Sequence, residues 1–235
     1  MVIALSISLS FFLTRRHTQQ VVATPAEFGL DYQEIQFHTS DHLCLHGWWI
    51  PAATSTRTLV FLHGFSGSMD PDLKYAPAIH QAGYNILMFD FRAHGRSQGH
   101  MTTLCALEVR DAMAAIGFIR TLVRGPIGLL GFSMGGRAAL HAAAECPRAV
   151  CAIVSDGGPL QLSHAILQQL KEKGIPSGLR HLLCWGLLLG ASLRSGQNLF
   201  TTDPVQRTPQ LAGLPIFLIH AELDPYTERE ALDKM

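Results

Sequence analysis

One short segment, Gly131-Phe132-Ser133-Met134-Gly135-Gly136, constrains the fold of this chain most strongly. It follows the apolar run 127–130, which predicts a buried strand, and it precedes small helix-forming residues over 137–145. The G-x-S-x-G spacing is typical of a tight strand-to-helix turn that exposes the serine hydroxyl and the backbone N–H that follows it. Such a serine can attack a carbonyl carbon while nearby N–H groups stabilise the oxyanion. The alternative is a glycine-rich turn that carries an incidental serine.

The remainder of the chain alternates predicted strands with predicted helices. Two strands joined by a tight turn come first, and the later spacing is that of βαβ units. This pattern predicts an α/β fold with a mainly parallel, doubly wound sheet and an antiparallel N-terminal hairpin. The predicted strands are 32–39, 43–50, 58–62, 84–89, 127–130, 149–154 and 214–220, and the main predicted helices are 71–82, 102–123 and 137–145. The helical insertion at about 158–208 is either a lid over the strand ends or an ordinary core region.

Composition and charge restrict the class of protein. The 235 residues, of which 48% are hydrophobic, suffice for one globular domain, which we place at 26–235. Basic and acidic residues number 18 each without a basic run, so nothing favours a nucleic-acid partner. The five cysteines are dispersed and odd in number, which predicts buried thiols rather than disulfides. His38, Asp41, His42 and His46 spread over both faces of the predicted hairpin, so we predict no metal site, and we expect no cofactor.

The first 25 residues differ from the rest, and we treat 1–25 as an apolar N-terminal segment with a linker. Met1 to Leu13 is apolar apart from serines, and Arg15-Arg16 follows. Thirteen helical residues extend roughly 20 Å, less than the ~30 Å hydrocarbon core of a bilayer. The alternatives are a short anchor, a span whose start is lost, and a segment docked on the domain. We expect residues 1–13 to associate with a membrane, the arginines keeping the domain on the cytoplasmic side. A soluble cytoplasmic protein is the alternative.

Three predicted strand ends bring chemically related groups together. In a doubly wound sheet the ligand site lies beyond the carboxyl ends of the strands, where we expect Ser133, Asp224 and the segment His63-Gly64-Phe65. Asp156, at a further strand end, is the weaker candidate for the acid. A serine hydroxyl needs a base to accept its proton and a carboxylate to orient that base. A nucleophile, an acid and backbone N–H donors are therefore present, whereas a base is missing.

With these motifs in this order, the chain resembles the α/β-hydrolases and is similar to their serine-aminopeptidase-like and lysophospholipase-like branch. The resemblance extends from about Tyr32 to the C-terminus. It rests on four segments: His63-Gly64-Phe65, Asp90-Phe91-Arg92-Ala93-His94-Gly95-Arg96-Ser97, Gly131 to Gly136, and His220-Ala221-Glu222-Leu223-Asp224-Pro225. The second of these segments would be structural and would brace the turn at Ser133.

The resemblance also implies a role for the individual site residues. Ser133 would be the nucleophile and Asp224 the acid that follows the penultimate strand. The backbone N–H groups of Phe65 and Met134 would form the oxyanion hole. His63 would shape the loop that carries Phe65, and it would not be the base.

The chain departs from the family pattern at its end. The family order is serine, acid and histidine, with the histidine beyond one further helix and strand, but the sequence stops eleven residues after Asp224. We therefore expect the last strand and the catalytic histidine to be missing, since His220 belongs to a motif that the family uses structurally. One hypothesis is a serine hydrolase that cleaves an ester, thioester or amide of a hydrophobic small-molecule acyl substrate through an acyl-enzyme, with its histidine encoded downstream. The other is a non-catalytic α/β-hydrolase-fold binding protein or an inactive fragment.

Overall fold

Seven strands form the centre of the molecule in a computed structural model, which describes residues 2–18, 21–65, 67–222, 224–227 and 229–235. The strands are β1 (Gln33–His38), β2 (Cys44–Ile50), β3 (Thr58–Leu62), β4 (Asn85–Phe89), β5 (Ile127–Phe132), β6 (Ala152–Asp156) and β7 (Ile216–Ile219). They form one sheet in the order β1-β2-β4-β3-β5-β6-β7. The pairs β1–β2 and β2–β4 are antiparallel, and all later pairs are parallel. The predicted mixed sheet with antiparallel N-terminal strands is confirmed.

Helices and turns pack on both faces of this sheet. The helices are α1 (Val2–Thr14), α2 (Ala76–Gln81), α3 (Glu108–Leu122), α4 (Met134–Glu145), α5 (Leu162–Glu172), α6 (Ser177–Ser195) and α7 (Arg229–Leu232), with 3₁₀ turns at Pro25–Phe28, Asp70–Tyr75, Leu199–Thr201 and Pro204–Leu211. Alternate residues of β3 face opposite sides, as strand geometry requires. Val60 and Leu62 join the buried cluster that contains residues of α3 and α4, whereas Phe61 joins the cluster that contains Leu73 and Ala76. Both faces of the central strands are therefore buried.

Helix α3 begins later than the sequence suggests. The predicted start at Thr102 or Thr103 is wrong, because both threonine hydroxyls donate hydrogen bonds of 2.7 Å to the buried carboxylate of Glu108. The backbone N–H of Thr103 donates to the same carboxylate at 2.8 Å. The threonines thus fold back onto the first turn of the helix instead of forming it.

The N-terminal helix α1 lies against α6. Ser6, Ser10 and Thr14, spaced by four residues, form its buried face, and a side chain at Gly186 or Gly190 of α6 would collide with Ser6 or Ser10. Small residues on both helices let their axes approach closely. Among the helices that the structure describes, none combines the length and the apolar character needed to cross a bilayer. The membrane association expected of residues 1–13, including a span across the bilayer, is therefore wrong for this helix, which is docked on the domain as in the third alternative.

Candidate active site

The strand-to-helix turn at Ser133 holds that residue in an unusual backbone conformation. Ser133 lies between β5 and α4 with φ = +50° and ψ = −112°. A residue with a side chain rarely adopts positive φ, and holding it there costs of order 1–3 kcal/mol. The N–H of Ser133 donates to the carbonyl oxygen of Asp156 at 2.8 Å, which ties the turn to the end of β6. Ser133 is exposed to solvent, so its hydroxyl is accessible.

Two glycines of the motif are required by close packing around this turn. A Cβ atom on Gly135 would overlap the carbonyl oxygen of Leu62 at the end of β3. A Cβ atom on Gly131 would overlap the backbone of Gly135. Because helix α4 starts in direct backbone contact with two strands, no larger residue fits at either position. The two glycines of the motif are therefore required because the turn leaves no space for a Cβ atom at either position.

Two backbone segments approach Ser133 where an oxyanion would form. Met134 is the first residue of α4, where a backbone N–H has no partner within the helix. The loop after β3 comes close as well, since a Cβ atom built on Gly64 would lie 3.5 Å from the Cβ atom of Ser133. Phe65, Ser133 and Met134 line one cavity of about 100 Å³, together with Leu104 and other apolar residues. The structure thus brings together three of the four predicted site residues.

His63 is held by hydrogen bonds at both ring nitrogens. The N–H of Phe91 donates to Nε2 at 2.9 Å, which leaves the proton on Nδ1, and Nδ1 donates to the carbonyl oxygen of Gly64 at 2.8 Å. Burial lowers the pKa of His63 to about 4, so the ring is neutral at neutral pH. With no free nitrogen, this ring is unsuited to accept a proton from Ser133, and its contacts hold the loop that carries Phe65.

The loop from Asp90 to Ser97 is tied together by its own polar groups. The carboxylate of Asp90 accepts hydrogen bonds from the N–H groups of Met69 at 3.0 Å and Arg96 at 3.1 Å. The hydroxyl of Ser97 donates to the carbonyl oxygen of Asp90 at 2.6 Å. The buried guanidinium of Arg92 adds an ion pair with Asp111 at 2.7 Å. Most polar groups of this loop thus bond within the loop or to neighbouring segments, which suits a structural role; Nε2 of His94 is buried without a hydrogen-bond partner among the described residues.

Asp224 and His220 form a pair at the end of β7. The Nδ1 atom of His220 lies 3.4 Å from Oδ2 of Asp224, and the N–H of Tyr226 donates to Oδ1 at 2.9 Å. The Nε2 atom of His220 is buried and has no hydrogen-bond partner among the described residues. Leu223, inside the same motif, lies outside the described residues. The sequence analysis treated His220 as structural, and the contact between His220 and Asp224 was not predicted.

The ends of β5, β6 and β7 place this pair on the same edge of the sheet as Ser133. Phe132 pairs with Asp156, and Asp156 pairs with Ile219. Strands in a sheet are 4.7–4.9 Å apart, so the backbones of Ser133 and His220 are separated by two strand spacings, roughly 10 Å. Asp156, the alternative acid, lies between them and contacts Ser133 through its backbone carbonyl.

Arg137 joins the insertion between β6 and β7 to the helix that follows Ser133. This residue of α4 is 2% exposed, and it donates to the carbonyl oxygens of Pro159 at 2.8 Å and Thr202 at 2.6 Å. Its guanidinium also lies 3.7 Å from the carboxylate of Asp203. Because Pro159 precedes α5 and Thr202 follows α6, one side chain holds both ends of the insertion. Within the described ranges, no group of three or more His, Cys, Asp or Glu residues could hold a metal ion.

Comparison with known proteins supports the architecture. The family model described as alpha/beta hydrolase fold matches residues 57–177, a range that contains Phe65, Ser133 and Met134 and ends before Asp224. The uncharacterized protein YfhR of Salmonella typhimurium is 27% identical over 232 residues, which cover 89% of this chain and 70% of the relative. A putative esterase/lipase of Haemophilus influenzae is 36% identical over 107 residues, or 45% of this chain and 36% of that protein.

A solved structure agrees with this assignment over nearly the whole chain. An esterase of Pyrococcus furiosus superposes with a TM-score of 0.75 at 27% identity, covering 94% of this chain and 82% of the esterase. These matches do not distinguish the serine-aminopeptidase-like and lysophospholipase-like branch from others. They do support a hydrolase. The order of the strands in the sheet and the turn at Ser133 agree with the family that these matches indicate. The chain belongs to the α/β-hydrolase fold family.

Proposed function

We propose that this protein is a serine hydrolase that cleaves an ester of an apolar acyl group. The observation that carries the proposal is the turn at Ser133, which presents the hydroxyl beside the N–H of Met134 and the Phe65 loop at a largely apolar cavity. The relatives described as an esterase and as a putative esterase/lipase favour an ester over a thioester or an amide.

In this proposal the reaction proceeds in two steps on Ser133. The hydroxyl oxygen attacks the ester carbonyl carbon while its proton passes to a histidine, and the N–H groups of Phe65 and Met134 donate to the oxyanion. The intermediate collapses, the alcohol leaves with that proton, and the acyl group stays on Ser133. A water molecule then attacks the acyl-enzyme by the same route and releases the carboxylic acid. Asp224 orients the histidine, and His220 is the histidine that contacts it among the described residues.

Substitution of Ser133 tests the nucleophile directly. We expect Ser133→Ala to abolish both hydrolysis of p-nitrophenyl butyrate and covalent labelling by a fluorophosphonate probe. Ser163→Ala removes an exposed hydroxyl from α5 and is the matched control, which should keep both properties. Equal labelling of Ser133→Ala and the unsubstituted protein would exclude Ser133 as the nucleophile.

Two further substitutions test the acid and its histidine. Asp224→Asn should lower kcat by at least ~100-fold, since loss of the orienting carboxylate leaves the base in the wrong tautomer. His220→Gln should cause a similar loss and shift the acidic limb of the pH profile if His220 is the base. Unchanged kinetics in His220→Gln would assign the base to another histidine. A protein that binds carboxylic acids but neither turns over nor is labelled would favour the non-catalytic alternative.

A further inference from the structure

A second cavity adjoins the one at Ser133. The inner cavity, of about 100 Å³, reaches from Ser133 to Leu13, Ile166 and Gln169. The outer cavity, of about 310 Å³, is lined by those same three residues and extends beyond them. The two cavities therefore adjoin along residues of α1 and α5, and together they extend away from Ser133. We refer to the two adjoining cavities as the groove.

Helix α1 supplies one wall of the outer cavity. Its residues Leu9, Phe12 and Leu13 face Ile166 and Leu170 of α5 across the groove. Leu9 lies one helical turn, roughly 6 Å, further out than Leu13. Phe12 is 57% exposed and Lys173 is exposed, so the far end of the groove opens to solvent. The walls are largely apolar between Ser133 and that opening.

Contacts with α6 hold α1 in this position. The guanidinium of Arg194 donates to the carbonyl oxygen of Ile7 at 3.1 Å and to the hydroxyls of Ser10 at 2.7 Å and Thr14 at 3.1 Å. The absence of a side chain at Gly190 lets the backbone of Ile7 approach α6. The polar face of α1 is thus used for docking, which leaves Leu9 and Leu13 available to the groove.

The residues after α1 connect the same wall to the loop that carries Phe65. The N–H of His17 donates to the carbonyl oxygen of Ala93 at 2.7 Å, and its ring lies edge-on to Phe65 with centroids 4.9 Å apart. Arg16 donates to the carbonyl oxygen of Ser97 at 2.9 Å. The N-terminal segment is therefore attached at two places, to α6 and to the Asp90 to Ser97 loop.

From this arrangement we propose that α1 is a specificity element, and that the groove binds the alkyl chain of a medium-chain fatty acyl ester whose carbonyl carbon lies at Ser133. The proposal rests on the serine hydrolase function proposed above and names its substrate class. A short acyl group fills only the inner cavity, whereas a longer chain passes Leu13 and Ile166 and contacts Leu9 and Leu170. Each methylene buried there should raise the affinity about fourfold.

Calorimetric titration with sodium decanoate and sodium hexanoate tests the groove without requiring turnover. Decanoate should bind with a stoichiometry near one and at least ~10-fold more tightly than hexanoate. Leu9→Gln should reduce this ratio of affinities by about tenfold, because it replaces an apolar wall that only the longer chain reaches. Leu9 is 41% exposed, so this change is tolerated by the fold. Leu170→Gln alters the opposite wall and should act in the same direction.

Leu5→Gln is the matched control, since Leu5 lies on α1 one turn before Leu9, is 56% exposed and lines neither cavity. It should leave both affinities unchanged. Equal effects of Leu5→Gln and Leu9→Gln, or no preference for decanoate, would overturn the proposed groove. The two proposals fail separately. If ester hydrolysis requires Ser133 but Leu9→Gln does not change the binding of decanoate, only the groove proposal fails. If decanoate binds as expected but Ser133→Ala leaves hydrolysis unchanged, only the serine mechanism fails.

Discussion

At the scale of the residue, buried polar side chains hold the loops that surround Ser133. Glu108 is fully buried, which by itself would raise the pKa of its carboxyl group, but hydrogen bonds from Thr102 and Thr103 bring that pKa below its ordinary value. The N–H of Cys105 donates to the same carboxylate at 2.9 Å, and the thiol of Cys105 donates to the carbonyl oxygen of Met134 at 3.1 Å. A single charged group in the interior thus connects the start of α3 to the turn that presents Ser133.

The neutral state of His63 predicts how stability depends on pH. In the unfolded chain this histidine binds a proton below its ordinary pKa of 6.5, whereas in the folded protein it does so only below about 4. Between these values the unfolded state binds more protons, so the free energy of unfolding should fall as pH falls from 6.5 to 4, by up to ~3 kcal/mol for this group. Urea denaturation at pH values from 4.5 to 7.5, roughly spanning this window, measures it.

Two variants separate the contribution of His63 to the pH dependence of the free energy of unfolding from the contributions of other histidines. His63→Gln should be less stable than the unsubstituted protein at pH 7.5 but should lose less stability on acidification. His181→Gln changes an exposed histidine on α6 and should keep the original slope. An unchanged slope in His63→Gln would show that this residue does not cause the acid sensitivity. Burial likewise lowers the pKa values of His94 and His141 to about 4, so part of the slope should remain.

At the scale of the element, the packing of α1 on α6 depends on small residues repeated every fourth position. Ser6 and Ser10 of α1 face Gly186 and Gly190 of α6, and these contacts leave no room for added carbon atoms. An apolar sequence with serines at this spacing fits a helix that docks through its polar face. That spacing was visible in the sequence, but the membrane prediction gave more weight to the apolar residues between the serines.

A pair of glycine substitutions on α6 tests this packing. Gly190→Ala places a Cβ atom 2.8 Å from the Cα atom of Ile7, so it should cost about 1–3 kcal/mol in the free energy of unfolding. Gly178→Ala lies in open space on the same helix and should stabilise the protein by roughly 0.5–1 kcal/mol. Thermal unfolding measures both effects, and trypsin cleavage after Arg15 or Arg16 should accelerate only in Gly190→Ala. Equal behaviour of the two variants would contradict close docking of α1.

At the scale of the whole molecule, α1, α5 and α6 form a cap with its own apolar cluster beside Ser133. That cluster contains Leu104, Leu162, Ile166 and Leu187, and both Leu13 and Phe65 pack against it. The cap is connected to α4 through Arg137, whose guanidinium donates to the chain before α5 and to the chain after α6. The insertion predicted at about 158–208 is largely helical, and its helices α5 and α6 pack with α1 from the other end of the chain beside Ser133.

Arg137→Lys should loosen the cap while the sheet stays intact. An ammonium group keeps the charge but lacks the planar fork that reaches both carbonyl oxygens. Amide hydrogen exchange should therefore increase in 159–203 and remain unchanged in β3 and β5. Arg148→Lys, at an exposed position, should change neither region. A uniform increase in amide hydrogen exchange over the whole chain would indicate general destabilisation. It would contradict the proposal that Arg137 stabilises the cap locally.

The features of the site that could be predicted from the sequence are those formed by residues close together along the chain. Ser133, Met134 and the glycines around them were identified because the turn imposes steric requirements on neighbouring residues. The strands were identified because burial on both faces requires continuous apolar runs. Two contacts were not predicted. His220 was set aside as structural, and its contact with Asp224 appeared only in the tertiary structure. Residues 1–13 were expected at a membrane, with docking on the domain as an alternative, and they pack against α6.

The sequence by itself determined the elements, their order along the chain and the turn that presents Ser133. Periodicity and steric exclusion act over a few residues and can be read locally. Only the tertiary structure decided that Leu13 and Ile166 line one cavity with Ser133, and that β5, β6 and β7 bring Ser133, Asp156 and His220 to one edge of the sheet. Contacts between segments that are distant along the chain depend on complementary surfaces that form when the chain folds, and no local pattern encodes which surfaces will meet.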